Sequence, residues 1–148
     1  MTDPKKIVLL GATGSIGEST LQVIRKHPNR LQLIGISANS NSQTLADIAK
    51  EFKVPHAYLP ETAPKVIDWP STCILDRSTD GLSKIASFDE ADVILVAIVG
   101  ASGLGPTLSA LQSGKDVVLA NKESLVLGGD LVMRTALENG ARVIPADS

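Results

Sequence analysis

The chain has 148 residues, 43% hydrophobic and 20% charged, with a net charge of −2, a balance that predicts one folded globular domain and excludes a disordered segment. No basic run offers a nucleic-acid footprint, no apolar run approaches the ~18 residues of a membrane span, and the opening Met-Thr-Asp-Pro-Lys-Lys lacks the pattern of a secretory signal. The single cysteine, Cys73, has no partner for an internal disulfide, which fits a reducing cytoplasm, and two distant histidines make no metal cluster.

Along the chain, short apolar runs alternate with segments of helical period. Ile7 to Leu10 reads as a buried strand, too short and too branched for a helix. Ser15 to His27 reads as a helix with Ile16, Thr20, Val23, Ile24 and His27 on one face, stopped by Pro28-Asn29. Leu31 to Ser37 is the second strand. Ser42 to Phe52 is the clearest helix, with Leu45, Ile48, Ala49 and Phe52 at i, i+3, i+4 and i+7. His56 to Leu59 is the third strand. From Pro60 to Ser87 the pattern is broken by Pro60, Pro64 and Pro70 and by an isolated Trp69; a brief strand at Cys73 to Leu75 and a short helix from Asp80 to Ala86 are expected there. Asp92 to Ile98 is the unbroken apolar run of a central parallel strand. Gly105-Pro106 opens a helix carrying Leu104, Leu108 and Leu111, with Gly114 as its stop. Val117 to Ala120 is a strand, Asp130 to Asn139 a helix ending at Gly140, and Arg142 to Pro145 a last strand.

Strand and helix in repeated alternation predict an α/β fold, a doubly wound, mostly parallel sheet with helices on both faces, in one domain spanning 1–148. Ligands of such sheets sit beyond the carboxyl ends of the strands. The loops to inspect therefore follow Leu10, Ser37, Ile98, Ala120 and Pro145, and these are also the chemically unusual ones.

The first of them is Gly11-Ala12-Thr13-Gly14-Ser15-Ile16-Gly17, spaced G-x-x-G-x-x-G. Gly11 permits the tight turn, Gly14 lets backbone approach a pyrophosphate, and Gly17 lets the helix pack closely on the sheet. The helix start then offers free amides and a partial positive charge, with Thr13 and Ser15 as further donors. A strand before and a helix after give the pattern its dinucleotide meaning.

The second loop, Ser37-Ala38-Asn39-Ser40-Asn41, lacks the Asp or Glu that grips the ribose 2′-hydroxyl in NAD sites. Asn and Ser donate to a 2′-phosphate that an acid would repel, so NADPH is favoured over NADH; an ordinary polar turn is the plain alternative. Small residues fill Ala97 to Gly103, suiting close passage of a cofactor. In Asn121-Lys122-Glu123-Ser124, Lys122 is a candidate for a substrate anion and Glu123 for the cofactor, although such a pair standing alone is more often solvated. Asp147 is a candidate Mg²⁺ ligand, since hard cations prefer carboxylate oxygen.

Together, Gly11 to Gly17, Ala97-Ile-Val-Gly-Ala101, Leu119-Ala-Asn-Lys-Glu-Ser-Leu-Val126 and Ile144-Pro-Ala-Asp-Ser148 closely resemble the 1-deoxy-D-xylulose 5-phosphate reductoisomerases of the non-mevalonate isoprenoid pathway. The resemblance covers essentially the whole chain, least in its middle third. It implies an NADPH-dependent enzyme, a homodimer using Mg²⁺ or Mn²⁺, that rearranges a phosphosugar, 1-deoxy-D-xylulose 5-phosphate, and then reduces the aldehyde to 2-C-methyl-D-erythritol 4-phosphate. It further implies that Thr13, Gly14, Ser15 and Ile16 hold the pyrophosphate, that Asn39, Ser40 and Asn41 lie at the 2′-phosphate, and that Asn121 and Glu123 contact the nucleotide. Lys122 and Ser148 would contact substrate, and Asp147 would be the first of three carboxylate metal ligands.

Two departures stand out. The family often has Gly-Lys-Asn at positions 39–41, where only Asn41 agrees. Family members continue past Asp-Ser with glutamate ligands and a second, substrate-closing lobe. The chain is thus expected to be an NADPH-binding domain that does not turn over by itself, with a monomeric piece left open beside the family's homodimer. Two other readings stay open. Semialdehyde and acyl-phosphate dehydrogenases share the glycine pattern but need a reactive thiolate, and Cys73 lies in an apolar run. A stand-alone NADP-sensing module would leave Asp147, Ser148 and Lys122 without a role.

Overall fold

The computed structural model describes residues 3–120 and 122–146. Seven strands and five α-helices follow one another as β1 (Lys5–Leu10), α1 (Ser15–Lys26), β2 (Leu31–Ser37), α2 (Ser42–Phe52), β3 (His56–Tyr58), β4 (Ile74–Asp76), α3 (Gly81–Ala86), β5 (Val93–Val96), α4 (Leu104–Gln112), β6 (Asp116–Leu119), α5 (Lys122–Glu138) and β7 (Val143–Pro145). The strands form one sheet in the order β4-β3-β2-β1-β5-β6-β7, and every neighbouring pair is parallel. This is the doubly wound architecture that strand–helix alternation predicts.

Right-handed crossovers decide where the helices lie. From β1 the chain winds outward through β2 and β3, so α1 and α2 cover one face. Their core gathers Ile7, Leu9, Leu21, Ile24, Leu33, Ile36 and Leu45. It then crosses back to β5 on the other side of β1 and winds outward again, placing α3, α4 and α5 on the opposite face around Val8, Leu10, Ile94, Val96, Leu111, Val117 and Val132. The winding reverses between β1 and β5, the strands whose carboxyl ends flank the switch point.

Neighbouring positions on β5 and β6 show this asymmetry. Ile94, Val96 and Val117, under α3 to α5, have no exposed surface, whereas Leu95 and Val118, which point to the other face, are only half-buried. At the sheet's edge Arg142 bonds Asp116 with its backbone N–H and its guanidinium, fastening β7 to β6 and holding the Asp116 carboxyl below the usual carboxylate range.

Several expected boundaries move. On α1 the buried residues are Gly17, Leu21 and Ile24; Val23 and His27 are exposed and Ile16 and Thr20 only half-buried. The expected face combined two stripes, and the helix turns the one containing Gly17 inward because only a residue without a side chain fits against the preceding turn. The helix expected from Asp130 begins at Lys122 and bends at Gly128, whose backbone leaves helical geometry next to the Leu104 side chain. The segment expected to be a loop at 121–124 is therefore helical from Lys122 onward. β5 ends at Val96 rather than Ile98, and residues 101–103 form one 3₁₀ turn. Between Pro60 and Ser87, β4 lies one residue later than expected. Trp69 closes the preceding turn by donating from Nε1 to the Cys73 carbonyl at 3.0 Å.

Two adjacent valines test the two faces directly. Val117→Ala is expected to lower unfolding free energy by about 2 kcal/mol and Val118→Ala by less than about 1 kcal/mol, measured by urea denaturation of the two variants side by side.

Candidate functional site

A cleft of about 370 Å³ opens at the carboxyl ends of the strands, at the switch point. Its floor is the β1–α1 turn with Gly11, Thr13 and Gly14. One wall is Ser37, Ala38 and Asn39 after β2, with Tyr58 and Pro60; the other is Ala97, Ile98, Val99 and Ser102 after β5, with Leu82 of α3. None of these side chains carries a formal charge. A larger hollow of about 490 Å³ lies by Lys5, His27 and Arg30, but at the amino ends of the strands, away from the glycine turn.

The turn is locked from several sides. The Gly11 amide donates to Ser37 Oγ at 3.1 Å, the Ala12 amide to the Ser37 carbonyl at 2.8 Å, and the Ala97 amide to the Leu10 carbonyl at 2.8 Å. Gly11 has φ +85°, and a Cβ there would stand 2.7 Å from the Ala97 carbonyl oxygen. Gly17 is under still tighter restraint, since its Cβ would stand 2.5 Å from the carbonyl oxygens of both Gly11 and Ala12. By contrast, a Cβ on Gly14 would meet nothing within 4 Å. Gly14 caps α1 with extended backbone and no side chain caps the helix, so the start of α1 depends on other partners for its first-turn amides. A glycine that is bare for no reason internal to the protein, beside an uncapped helix start, is the geometry of an anion cradle.

The structure brings Gly11, Thr13, Gly14 and Asn39 to this cleft. Ser15 and Ile16 begin α1, but their side chains line a groove on its other side. Ser40 and Asn41 line a shallow depression beside the cleft together with Pro64 and Lys65. Lys122 and Glu123 open α5 just past the carboxyl end of β6. Asn121, Asp147 and Ser148 lie outside the described residues, and among the described residues no three His, Cys, Asp or Glu side chains group as metal ligands.

Several lining residues had no signal in the sequence. Ser37 opens the second loop in the sequence, where nothing marks it as the buried residue that holds the glycine turn. Pro60 and Leu82, and Lys65 in the neighbouring depression, arrive from the segment where proline breaks the periodicity, and Tyr58 from the end of β3 just before it. The Tyr58 hydroxyl is pushed up in pKa, first by burial and then by the Asp76 carboxylate. Cys73 is buried in the α1–α2 core, does not line the cleft, and its thiol is pushed up to about 11 by burial.

A parallel doubly wound sheet with a glycine turn at its switch point defines the Rossmann-like class of nucleotide-binding domains. The model of the 1-deoxy-D-xylulose 5-phosphate reductoisomerase family matches residues 7–129. The chain belongs to that family. It is 43% identical over 150 residues to the 1-deoxy-D-xylulose 5-phosphate reductoisomerase of Clostridium perfringens, a match covering 97% of this chain and 39% of the relative. A solved DOX-P reductoisomerase in complex with magnesium superposes with a TM-score of 0.91 at 42% identity, over 97% of this chain and 37% of that one. The Zymomonas mobilis enzyme, solved in complex with NADPH, gives 0.89 at 38% identity, over 99% and 39%. The chain thus spans about two fifths of the length of the relatives it matches.

Two outcomes follow from the turn and the thiol. Gly17→Ala is expected to destabilise by more than about 2 kcal/mol, because backbone must move to admit the methyl group, as a urea melt would show. Cys73 is expected to resist iodoacetamide at pH 8 in the folded chain and to react at once in 6 M guanidinium, because little thiolate forms below its raised pKa.

Proposed function

We propose that this chain binds NADPH in the switch-point cleft and is the nucleotide-binding part of a reductoisomerase that converts 1-deoxy-D-xylulose 5-phosphate to 2-C-methyl-D-erythritol 4-phosphate. The observation that carries the reading is the bare Gly14 beside the uncapped start of α1. With no cation lining the cleft, a pyrophosphate there is held by backbone amides and the helix dipole. Gly11 and Gly17 shape this cradle, Thr13 and Ser15 add hydroxyl donors, and Gly14, Ser15 and Ile16 supply amides. Pro60, Leu82 and Ile98 offer apolar surface suited to a flat base. The solved relative in complex with NADPH supports the choice of nucleotide.

Asn39, Ser40 and Asn41 are the groups we assign to the 2′-phosphate. Lys65, which shares their depression, supplies the cation that the loop itself lacks. Around the reaction, we assign Asn121 and Glu123 to the nucleotide and Lys122 and Ser148 to the phosphosugar. Asp147 is proposed as one carboxylate of a Mg²⁺ or Mn²⁺ site. The described residues do not complete such a site, so the role proposed for this chain is to bind and orient the nucleotide. In the whole protein the nucleotide supplies hydride to the aldehyde left by the rearrangement. A homodimer of the whole protein, working in the cytoplasm without nucleic acid, is part of the same reading. A semialdehyde dehydrogenase would need an accessible thiolate, and the buried Cys73 argues against that alternative.

Isothermal titration of the 148-residue chain tests the proposal. NADPH is expected to bind at least about tenfold more tightly than NADH, a difference of about 1.4 kcal/mol. Heat from neither nucleotide, with the protein shown to be folded, would overturn it. Gly14→Ala is expected to melt like the parent yet lose most of this binding, because its methyl group occupies the space left for phosphate. Lys65→Glu is expected to weaken NADPH several-fold and leave NADH unchanged. Substrate-dependent oxidation of NADPH by this chain alone is expected to be absent.

A further inference from the structure

Between β3 and β4 the chain runs from Leu59 to Cys73 without helix or strand, so its path is set by single contacts. Arg77, the residue after β4, makes two of them. Its Nη2 donates to the Glu61 carbonyl at 3.1 Å and to the Ala63 carbonyl. Ala63 is buried against the core under α1 and α2, where a carbonyl needs a donor. Arg77 itself stands on the sheet. Asp76 beside it pairs with Tyr58 of β3, and the Asp76 carbonyl accepts the Leu59 amide at 3.2 Å.

The bonded carbonyl of Ala63 lies just upstream of Lys65. Only Pro64 intervenes, and its ring fixes φ, so few soft torsions separate Lys65 from the point that Arg77 holds. Three residues past Lys65 the chain is tied again, where Lys50 Nζ of α2 donates to Asp68 Oδ2 at 2.8 Å. Held on both sides, Lys65 lines the depression whose other wall is Ser40, Asn41 and the first turn of α2. That turn contains no acidic residue, and no side chain caps it. Among the described residues no carboxylate pairs with Lys65 or with Arg77.

We propose that Arg77 is a positioning residue for nucleotide choice: by tying the loop at Glu61 and Ala63 to the end of β4, it holds Lys65 opposite the start of α2, where the 2′-phosphate is assigned. Arg77 touches no nucleotide in this scheme and acts through Lys65. An exposed lysine on a loose loop loses much of its attraction for an anion to the entropy of being held in place, and a preset backbone lowers that cost. The inference rests on the nucleotide reading given above.

Two measurements on the 148-residue chain test it, one of them free of nucleotide. Arg77→Met keeps the apolar stem and removes the donors, so it is expected to melt close to the parent. Endoproteinase Lys-C is expected to cut after Lys65 several times faster in this variant, because the loop opens locally. By calorimetry the same variant is expected to bind NADPH about three- to fivefold more weakly, the size of one exposed ion pair, with NADH unchanged. Lys65→Ala is expected to do the same, and the double variant no more than either single one. Arg77→Lys, which can still reach a carbonyl, is expected to recover most of the NADPH affinity. Unchanged cleavage, an equal loss of NADH and NADPH, or additive losses in the double variant would each overturn the role of Arg77 while NADPH binding by the parent stands. A folded parent that binds neither nucleotide would instead remove the reading beneath it, and the inference with it.

Discussion

The approach of α1 to the backbone of the turn that precedes it is the constraint on which the site depends. Gly17 sits where a methyl group would overlap the carbonyl oxygens of Gly11 and Ala12. The helix therefore starts hard against β1, with its first amides at the mouth of the switch-point cleft. Ser37 holds the same turn from the neighbouring strand through its hydroxyl and its carbonyl. A helix start placed this way offers partial positive charge with no mobile side chain to order. That matters in a cleft whose lining is uncharged.

The same packing sets the character of the rest of α1. Turning the Gly17, Leu21 and Ile24 stripe inward leaves Ile16, Thr20 and Val23 on the flank of the helix, where with Ser15, Ser19, Ala120 and Ala146 they line a groove. One glycine thus links two properties of the domain, the bare helix start and the groove of mixed polarity along the helix flank. The cleft is built from loops of both halves of the sheet, whereas the groove lies along the flank of α1. They can consequently be altered independently.

Much of this architecture was legible in the sequence because buried parallel strands and amphipathic helices leave strong periodic signals. Ile7 to Leu10, Ser42 to Phe52 and the apolar run after Asp92 needed only those signals. The glycine turn was legible too, because strand, turn and helix follow in order. Tertiary packing hid the rest. Ile16, Val23 and Ile24 fit one helical stripe on a wheel, and only the contact at Gly17 shows which side goes inward. Lys122 was hidden as a helix start because Gly128 interrupts the pattern. Pro60, Leu82 and Lys65 reach the cleft or its edge through a segment ordered by single contacts, such as Trp69 with the Cys73 carbonyl, which leave no period to read.

The proposed function stands on a dinucleotide's phosphates resting on the backbone where β1 becomes α1. Amide-resolved NMR of the isotope-labelled chain during addition of NADPH tests this most directly. The largest shifts are expected at the Gly14, Ser15 and Ile16 amides, with smaller ones at Asn39 and Ile98. Shifts confined to the opposite edge, around Lys5 and Arg30, with the glycine turn unmoved, would contradict it.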